Sequence, residues 1–352
     1  MIKVVVVDDS AFMRKAISTM LKKDPQIEVV AVARDGEEGL EMVRKYDPDV
    51  VTMDIEMPKM DGLTALKHIM MEMPRPVIMV SSLTTEGAEA TLKAMEYGAV
   101  DFIPKQLSMV SLEIVKIEHE LRAKVKSVAK RKNKLKVIRR VKKKVSDTTK
   151  KQKKIATPKG SLIRDIVAIG VSTGGPPVVQ KVLSELPADF PACILIAQHM
   201  PKAFTGPFAK RLNESCKLKV KEAENGDVVK PGHVFVAPGG QHMKIDQKVS
   251  RIDVLVDSEP RHVLYKPSAD VLIASVATGV GKRGLGVILT GMGNDGFLGI
   301  KELKKKGGKA IAQSEESCVV YGMPKAIVEG NLADAVVDVE EMPQTIISFL
   351  YE

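Results

Sequence analysis

No apolar run in this sequence is long enough to cross a bilayer. The opening, MIKVVVVDDS, breaks after a few apolar residues on two aspartates, so neither a membrane span nor a secretory leader is expected there. Cysteine is scarce. Cys193, Cys216 and Cys318 are an odd number without metal-site spacing, set among residues that read as ordinary core and helix. A disulfide framework is thereby excluded, and a reduced, cytoplasmic setting is expected. A helix-turn-helix signature is missing from the second half as well.

A formal net charge of +10, spread over a folded surface, would suggest nucleic acid or an acidic membrane. It is concentrated instead. Between Arg122 and Lys154 there are 17 Lys or Arg against one acid, Asp147, a local +16 that leaves −6 for the remainder. The segment 122–160 reads as a basic, solvated linker whose start can continue the preceding helix. No nucleic-acid partner and no membrane insertion are expected. Length and an apolar share of 44% suit two cores, and two domains are assigned, 1–121 and 161–352.

Both are α/β. From Ile2 to about Leu121, IKVVVV, EVVAVA, DVVTMD, PVIMVS and VDFI alternate with helical patterns, and strands this apolar are buried on both faces of a parallel sheet. From Asp165 the alternation resumes with DIVAIGVS, ACILIAQH, HVFVAPG, GLGVILTG and KAIAQS, with a β-hairpin excursion around HMKIDQKVSRIDVLV. The fold class is therefore two doubly wound parallel-sheet domains, the second Rossmann-like.

Asp8 and Asp9 close the first strand and Asp54 the third, and the crevice of an open α/β sheet lies outside the carboxyl ends of its strands. Three converging carboxylates repel one another unless a cation joins them, and an all-oxygen ligand set suits Mg²⁺. Ser81 and Lys105, at the ends of the fourth and fifth strands, add a hydroxyl and an ammonium, a set that can accept and hold a phosphoryl group. One aspartate at a strand end is most often a helix cap or turn residue; five residues at the ends of four strands exceed that. With MDIEMPKMDG around Asp54 and Lys105 following a proline, residues 1–121 resemble the receiver domain of bacterial response regulators. The resemblance implies a flavodoxin-like fold and phosphorylation of Asp54 by a histidine kinase. It implies Mg²⁺ held by Asp8, Asp9, Asp54 and the backbone carbonyl of Glu56, with Ser81 and Lys105 supporting the phosphoryl group. It also implies a switching aromatic at Phe102, where a core Phe would look the same.

In the second domain GVSTGGPP puts Ser172 and Thr173 at a strand end, with two glycines opening the next helix. Gly allows close backbone approach, and free N–H groups at a helix N-terminus bind a developing negative charge. ILIAQHM ends the next strand at His199, and VILTGMGNDG brings Asp295 to the end of a later one. Each has an ordinary reading as turn, structural histidine or helix cap; together, at three strand ends of one sheet, they have the composition of a Ser-His-Asp triad. His68, His119, His233, His242 and His262 show no partner pattern, and Cys193, inside a strand, reads as core.

GVSTGG, AQHM and LTGMGNDG, behind a receiver, resemble the chemotaxis protein-glutamate methylesterases (CheB type). That resemblance implies hydrolysis of glutamyl methyl esters on chemotaxis receptors, and deamidation of particular glutamines, with no cofactor for the ester chemistry. Ser172 is then the nucleophile, His199 the base and Asp295 its orienter, with oxyanion contacts from the Met292 N–H and the Thr173 side. It also suggests that phosphorylation of Asp54 frees a crevice that the resting receiver covers; a full switch from 1:99 to 99:1 needs about 5.5 kcal/mol. Two rivals are weaker. A DNA-binding regulator conflicts with an α/β second half whose charge is not basic, and a dinucleotide oxidoreductase with Gln198-His199 where a ribose-binding acid is expected.

Overall fold

Val4, Val5, Val6 and Val7 have no polar side to turn to water, and in the computed structural model all four are fully buried in the middle of a sheet. Residues 1–105, 112–129 and 160–351 are described, and the chain divides into two compact units, Met1–Gln152 and Lys153–Glu352.

In the first unit the elements run β1 Ile2–Val7, α1 Ala11–Lys22, β2 Ile27–Ala33, α2 Gly36–Tyr46, β3 Val50–Asp54, α3 Gly62–Glu72, β4 Val77–Ser81, α4 Thr85–Glu96, β5 Asp101–Pro104 and α5 Leu112–Ala129. The sheet is parallel, in the order β2-β1-β3-β4-β5. Helices α1 to α4 open on Ser10, Asp35, Asp61 and Thr84, whose side chains each accept a first-turn amide. Chain order reverses at β1, so the strand ends carrying Asp8 and Asp54 flank the switch-point crevice.

Helix α5 continues past residue 121, to Ala129, because Leu121, Val125 and Val128 are buried. Lys124, on the same stretch, is buried too. Its ammonium donates to the Phe102 carbonyl at 2.8 Å and pairs with Asp101 at 3.2 Å and Glu120 at 2.8 Å. Burial lowers its pKa, yet the two acids outweigh that and hold it above the ordinary lysine value. The first eight residues of the expected linker are thus receiver helix, and 130–159 lie outside the described residues.

The second unit holds β6 Ile166–Val171, α6 Gly175–Glu185, β7 Cys193–Gln198, α7 Lys202–Ser215, β8 Lys219–Glu222, β9 His233–Val236, β10 His242–Gln247, β11 Ile252–Asp257, α8 Ala269–Val280, β12 Gly284–Ile288, α9 Phe297–Lys305, β13 Lys309–Gln313, α10 Met323–Glu329, β14 Ala335–Val337 and α11 Met342–Leu350. Seven parallel strands take the order β14-β13-β12-β6-β7-β9-β8, and β10 and β11 form the hairpin. One core, with Leu195, Phe235, Val276 and Ile288 among its members, runs from this sheet to α8 and the hairpin. No helix among the described residues is long and apolar enough to cross a membrane.

Candidate functional site

In the first unit Asp8, Asp9 and Asp54 do converge, each offering a carboxylate oxygen within 4.8 Å of the others. Asp8 and Asp54 are buried and Asp9 is exposed. The Lys105 ammonium donates to Asp54 Oδ2 at 2.6 Å and stands 3.7 Å from Asp8 Oδ2. Asp54 Oδ1 accepts from the Ile55 N–H at 2.7 Å and Asp8 Oδ1 from the Ser10 N–H at 2.9 Å. Asp8 Oδ2 has no hydrogen-bond partner although fully buried. Burial, and then the Asp54 charge, push the Asp8 carboxyl up to about 6. Burial likewise raises Asp54, against the pull of Lys105. One ammonium under-neutralises three acids, and an orphaned buried oxygen facing them is what a hard cation would fill. Close packing keeps the site tight: a Cβ on Gly62 would lie 1.8 Å from the Asp54 carbonyl oxygen.

One expected contributor is placed differently. The Ser81 hydroxyl is buried and turned to α4, donating toward the Gly87 carbonyl at 3.1 Å and accepting from Thr91 Oγ1 at 2.7 Å. It is therefore already satisfied, and must exchange these bonds to reach a phosphoryl oxygen. Glu56 lies in the turn after β3 with an exposed side chain, which leaves its carbonyl as the group concerned. Phe102 is buried, with the Lys124 ammonium 5.5 Å from its ring centroid.

In the second unit the sheet register brings the candidate nucleophile and base abreast. Val171 pairs with Gln198, so the next residues, Ser172 and His199, leave adjacent strands at the same level, about 4.8 Å apart. On the other side the Ser172 N–H donates to the Thr290 carbonyl beyond β12. His199 Nε2 and Asp295 Oδ2 are 2.7 Å apart. Among the described residues no hydrogen bond joins Ser172 Oγ to the imidazole, whose Nδ1 is the nitrogen left for it.

Asp295 also caps a helix, but not the one that follows it. Its Oδ1 accepts from Ser268 Oγ at 2.8 Å, the Asp270 N–H at 3.0 Å and the Gly296 N–H at 3.1 Å; its Oδ2 accepts from the Ala269 N–H at 2.7 Å. The Ser268, Ala269 and Asp270 groups open α8, whose dipole favours a carboxylate. Burial works to raise the Asp295 pKa; the His199 hydrogen bond and charge, with these amides, outweigh it and hold the carboxyl down at about 2.

The start of α6 departs from expectation. Gly174 takes φ +75°, a left-handed conformation open to glycine, but the helix end has few donors to offer. The Gly175 N–H is spent on the Ser172 carbonyl, and Pro176 and Pro177 have none. The amides of Met292, Gly293 and Asn294, by contrast, make no hydrogen bond among the described residues. Gly291, just before them, permits their approach: a Cβ there would lie 2.9 Å from Ser172 Cβ. Thr173 is buried, its carbonyl accepting from Thr290 Oγ1 at 2.9 Å.

Sequence reasoning passed over several residues around this site. Gln198, buried, donates to the carbonyls of both Ser172 and His199 at 3.1 and 3.2 Å. Ser268 serves Asp295, and Tyr265 lies against His199. Gln198 is signalled only as a polar residue closing an apolar strand; nothing local signalled the others. The remaining histidines stay apart from the triad: His68 pairs with Glu72, His233 with the Pro231 carbonyl, His119 and His262 are exposed, and His242 is buried. Burial pushes the Cys193 thiol up to about 12, as expected of a core residue.

Residues 4–115 match the response regulator receiver domain family and residues 167–346 the CheB methylesterase family. A protein-glutamate methylesterase/protein-glutamine glutaminase of Nitratidesulfovibrio vulgaris is 62% identical over 368 aligned positions, covering 100% of both chains. One of Pyrococcus horikoshii is 47% identical, over 98% of this chain and 93% of its own. The solved CheB methylesterase catalytic domain of Thermotoga maritima superposes with a TM-score of 0.51 at 39% identity, over 53% of this chain and 98% of its own. Register, buried acids and these likenesses agree, and the chain belongs to the CheB methylesterase family, with a response-regulator receiver in its first half.

Proposed function

We propose that Ser172, His199 and Asp295 carry out the hydrolysis of glutamyl methyl esters on chemotaxis receptors, and the deamidation of particular glutamines. The chain is a protein-glutamate methylesterase/protein-glutamine glutaminase under receiver control, an enzyme of sensory adaptation. The observation that carries the residue assignment is the His199–Asp295 hydrogen bond of 2.7 Å, one strand over from Ser172.

In this reading Ser172 Oγ attacks the side-chain acyl carbon while His199 Nδ1 takes its proton. Asp295, ionised far below neutral pH, holds the Nε2 proton and stabilises the imidazolium without itself being protonated. The free amide of Met292 binds the oxyanion, with the Thr173 side. His199 then returns the proton to the leaving methanol, or to ammonia from a glutamine, and the acyl-serine is hydrolysed by water activated in the same way. An exposed side chain on a receptor helix is a small acyl group, so docking supplies most of the specificity.

At the receiver, Asp54 accepts the phosphoryl group from a histidine kinase. Asp8, Asp9 and Asp54, with the Glu56 carbonyl, hold Mg²⁺, which when bound neutralises the phosphoryl oxygens. The orphaned Asp8 Oδ2 supports this. Lys105, already on Asp54, stays with the phosphoryl group, and Ser81 leaves α4 to reach it. A cytoplasmic location follows for a kinase-driven enzyme.

The test is methanol release from methylated chemoreceptor membranes by the wild type and by Ser172→Ala, each with and without a phosphodonor and Mg²⁺. Release that needs Ser172 and rises with phosphodonor is expected. Undiminished release by Ser172→Ala would refute the assignment.

A further inference from the structure

Tyr265 lies face to face with the His199 imidazole, ring centroids 4.3 Å apart and planes 13° from parallel. It stands three residues before Ser268, in the segment that carries the donors to Asp295. A Cβ on Gly293 would lie 3.7 Å from its hydroxyl, so the phenol also reaches the loop of the free amides. Resting on the triad reading above, we propose that Tyr265 is a positioning residue for the general base, its ring face fixing the imidazole plane so that Nδ1 addresses Ser172.

The reason is geometric first. One hydrogen bond, Nε2 to Asp295, fixes one atom of the ring but not its plane, and rotation about that anchor swings Nδ1 away from Ser172. A flat aromatic wall at stacking distance leaves only sliding within the plane. The His199 side chain is only 11% exposed. The stacked ring also acts on charge: once His199 has taken the proton, the ring face meets a cation, an attraction absent before transfer.

The test uses the full chain, with an acyl phosphate and Mg²⁺, on methylated receptor membranes. Tyr265→Phe keeps the face, and its kcat should stay within about twofold of wild type. Tyr265→Leu covers the imidazole without a flat face, and should lower kcat about 5- to 30-fold with KM within about twofold. In an Asp295→Asn background the same Leu change should cost less than about twofold, since the ring then holds a base that is already misaligned. Leu matching Phe, or a loss confined to KM, would overturn the proposal. Should Tyr265→Leu fail a thermal-melt check, Tyr265→His against Tyr265→Met poses the same contrast. An active Tyr265→Leu beside an inactive Ser172→Ala sinks the positioning role alone; an active Ser172→Ala sinks the triad reading with it.

Discussion

Replacing Asp295 by Asn separates its two duties, capping α8 and orienting His199. The carboxylate receives five donors, two on Oδ2 and three on Oδ1. An amide of the same size, in its better orientation, puts an NH2 where Oδ2 was: His199 can turn to its other tautomer and accept from it, but the Ala269 N–H loses its acceptor. At about 1–3 kcal/mol for an unsatisfied buried group, a destabilisation of roughly 1–3 kcal/mol is expected. The charge gives an independent figure: a pKa held at about 2 instead of 3.8 corresponds to about 2 kcal/mol, at roughly 1.4 per unit. Both describe the same contacts and are not added. Because the folded-state value is depressed, this stability is present above about pH 4 and lost as pH falls toward 2. Urea denaturation at pH 7 and at pH 3 should therefore show the gap between wild type and variant shrinking with acid. Activity should fall further than stability, by about 10⁴ in kcat, because the amide favours the wrong imidazole tautomer. A folded Asp295→Asn enzyme within tenfold of the wild-type rate would show that Asp295 only caps α8.

Three further outcomes are expected. Asp8→Asn removes a buried carboxylate whose pKa has risen to about 6; raised acids penalise the folded state as pH climbs through 4 to 6, so the variant should be more stable in EDTA at pH 7.5. The full shift corresponds to about 3 kcal/mol; with screening by Lys105 and solvent, about 1–2 kcal/mol should appear in urea melts, and Mg²⁺ should no longer stabilise the receiver. Lys124→Met removes the buried cation beside Asp101 and should cost about 3–5 kcal/mol in the same melts, with Asp101→Asn recovering part of it. His242, fully buried, has its pKa lowered, chiefly by burial; the unfolded chain then binds a proton that the folded one refuses, so stability falls as pH drops below about 6.5. In His242→Phe, thermal melts between pH 8 and 5 should lose that acid dependence.

The sheets were legible in the sequence because their central strands are buried on both faces, so apolar runs such as IVAIGV carry a signal of their own. The edge strands of the second sheet were not. Lys219–Glu222 has a single apolar residue, and Ala335–Val337 has only three residues, so neither stands out from loop. How far the last receiver helix continues past 121 was not legible, because a run of lysines reads as solvated, whereas Lys124 folds under against Asp101. At the site, strand-end chemistry pointed to Ser172, His199 and Asp295, since strand ends meet at one edge of a sheet. The α6 donors were overestimated because the glycines drew more weight than Pro176 and Pro177. Tyr265 and Ser268 were beyond reach, because their neighbours are 66 and 27 residues away and only tertiary packing brings them there.

The bare amides and the triad acid sit within one stretch, Gly291 to Asp295. In many hydrolases the group that steadies the base and the group that receives the oxyanion belong to separate parts of the chain and fail independently. In the proposed mechanism a single displacement of these five residues would misalign His199 and withdraw the oxyanion amides together, so that one change in this loop removes both contributions and its reversal restores both.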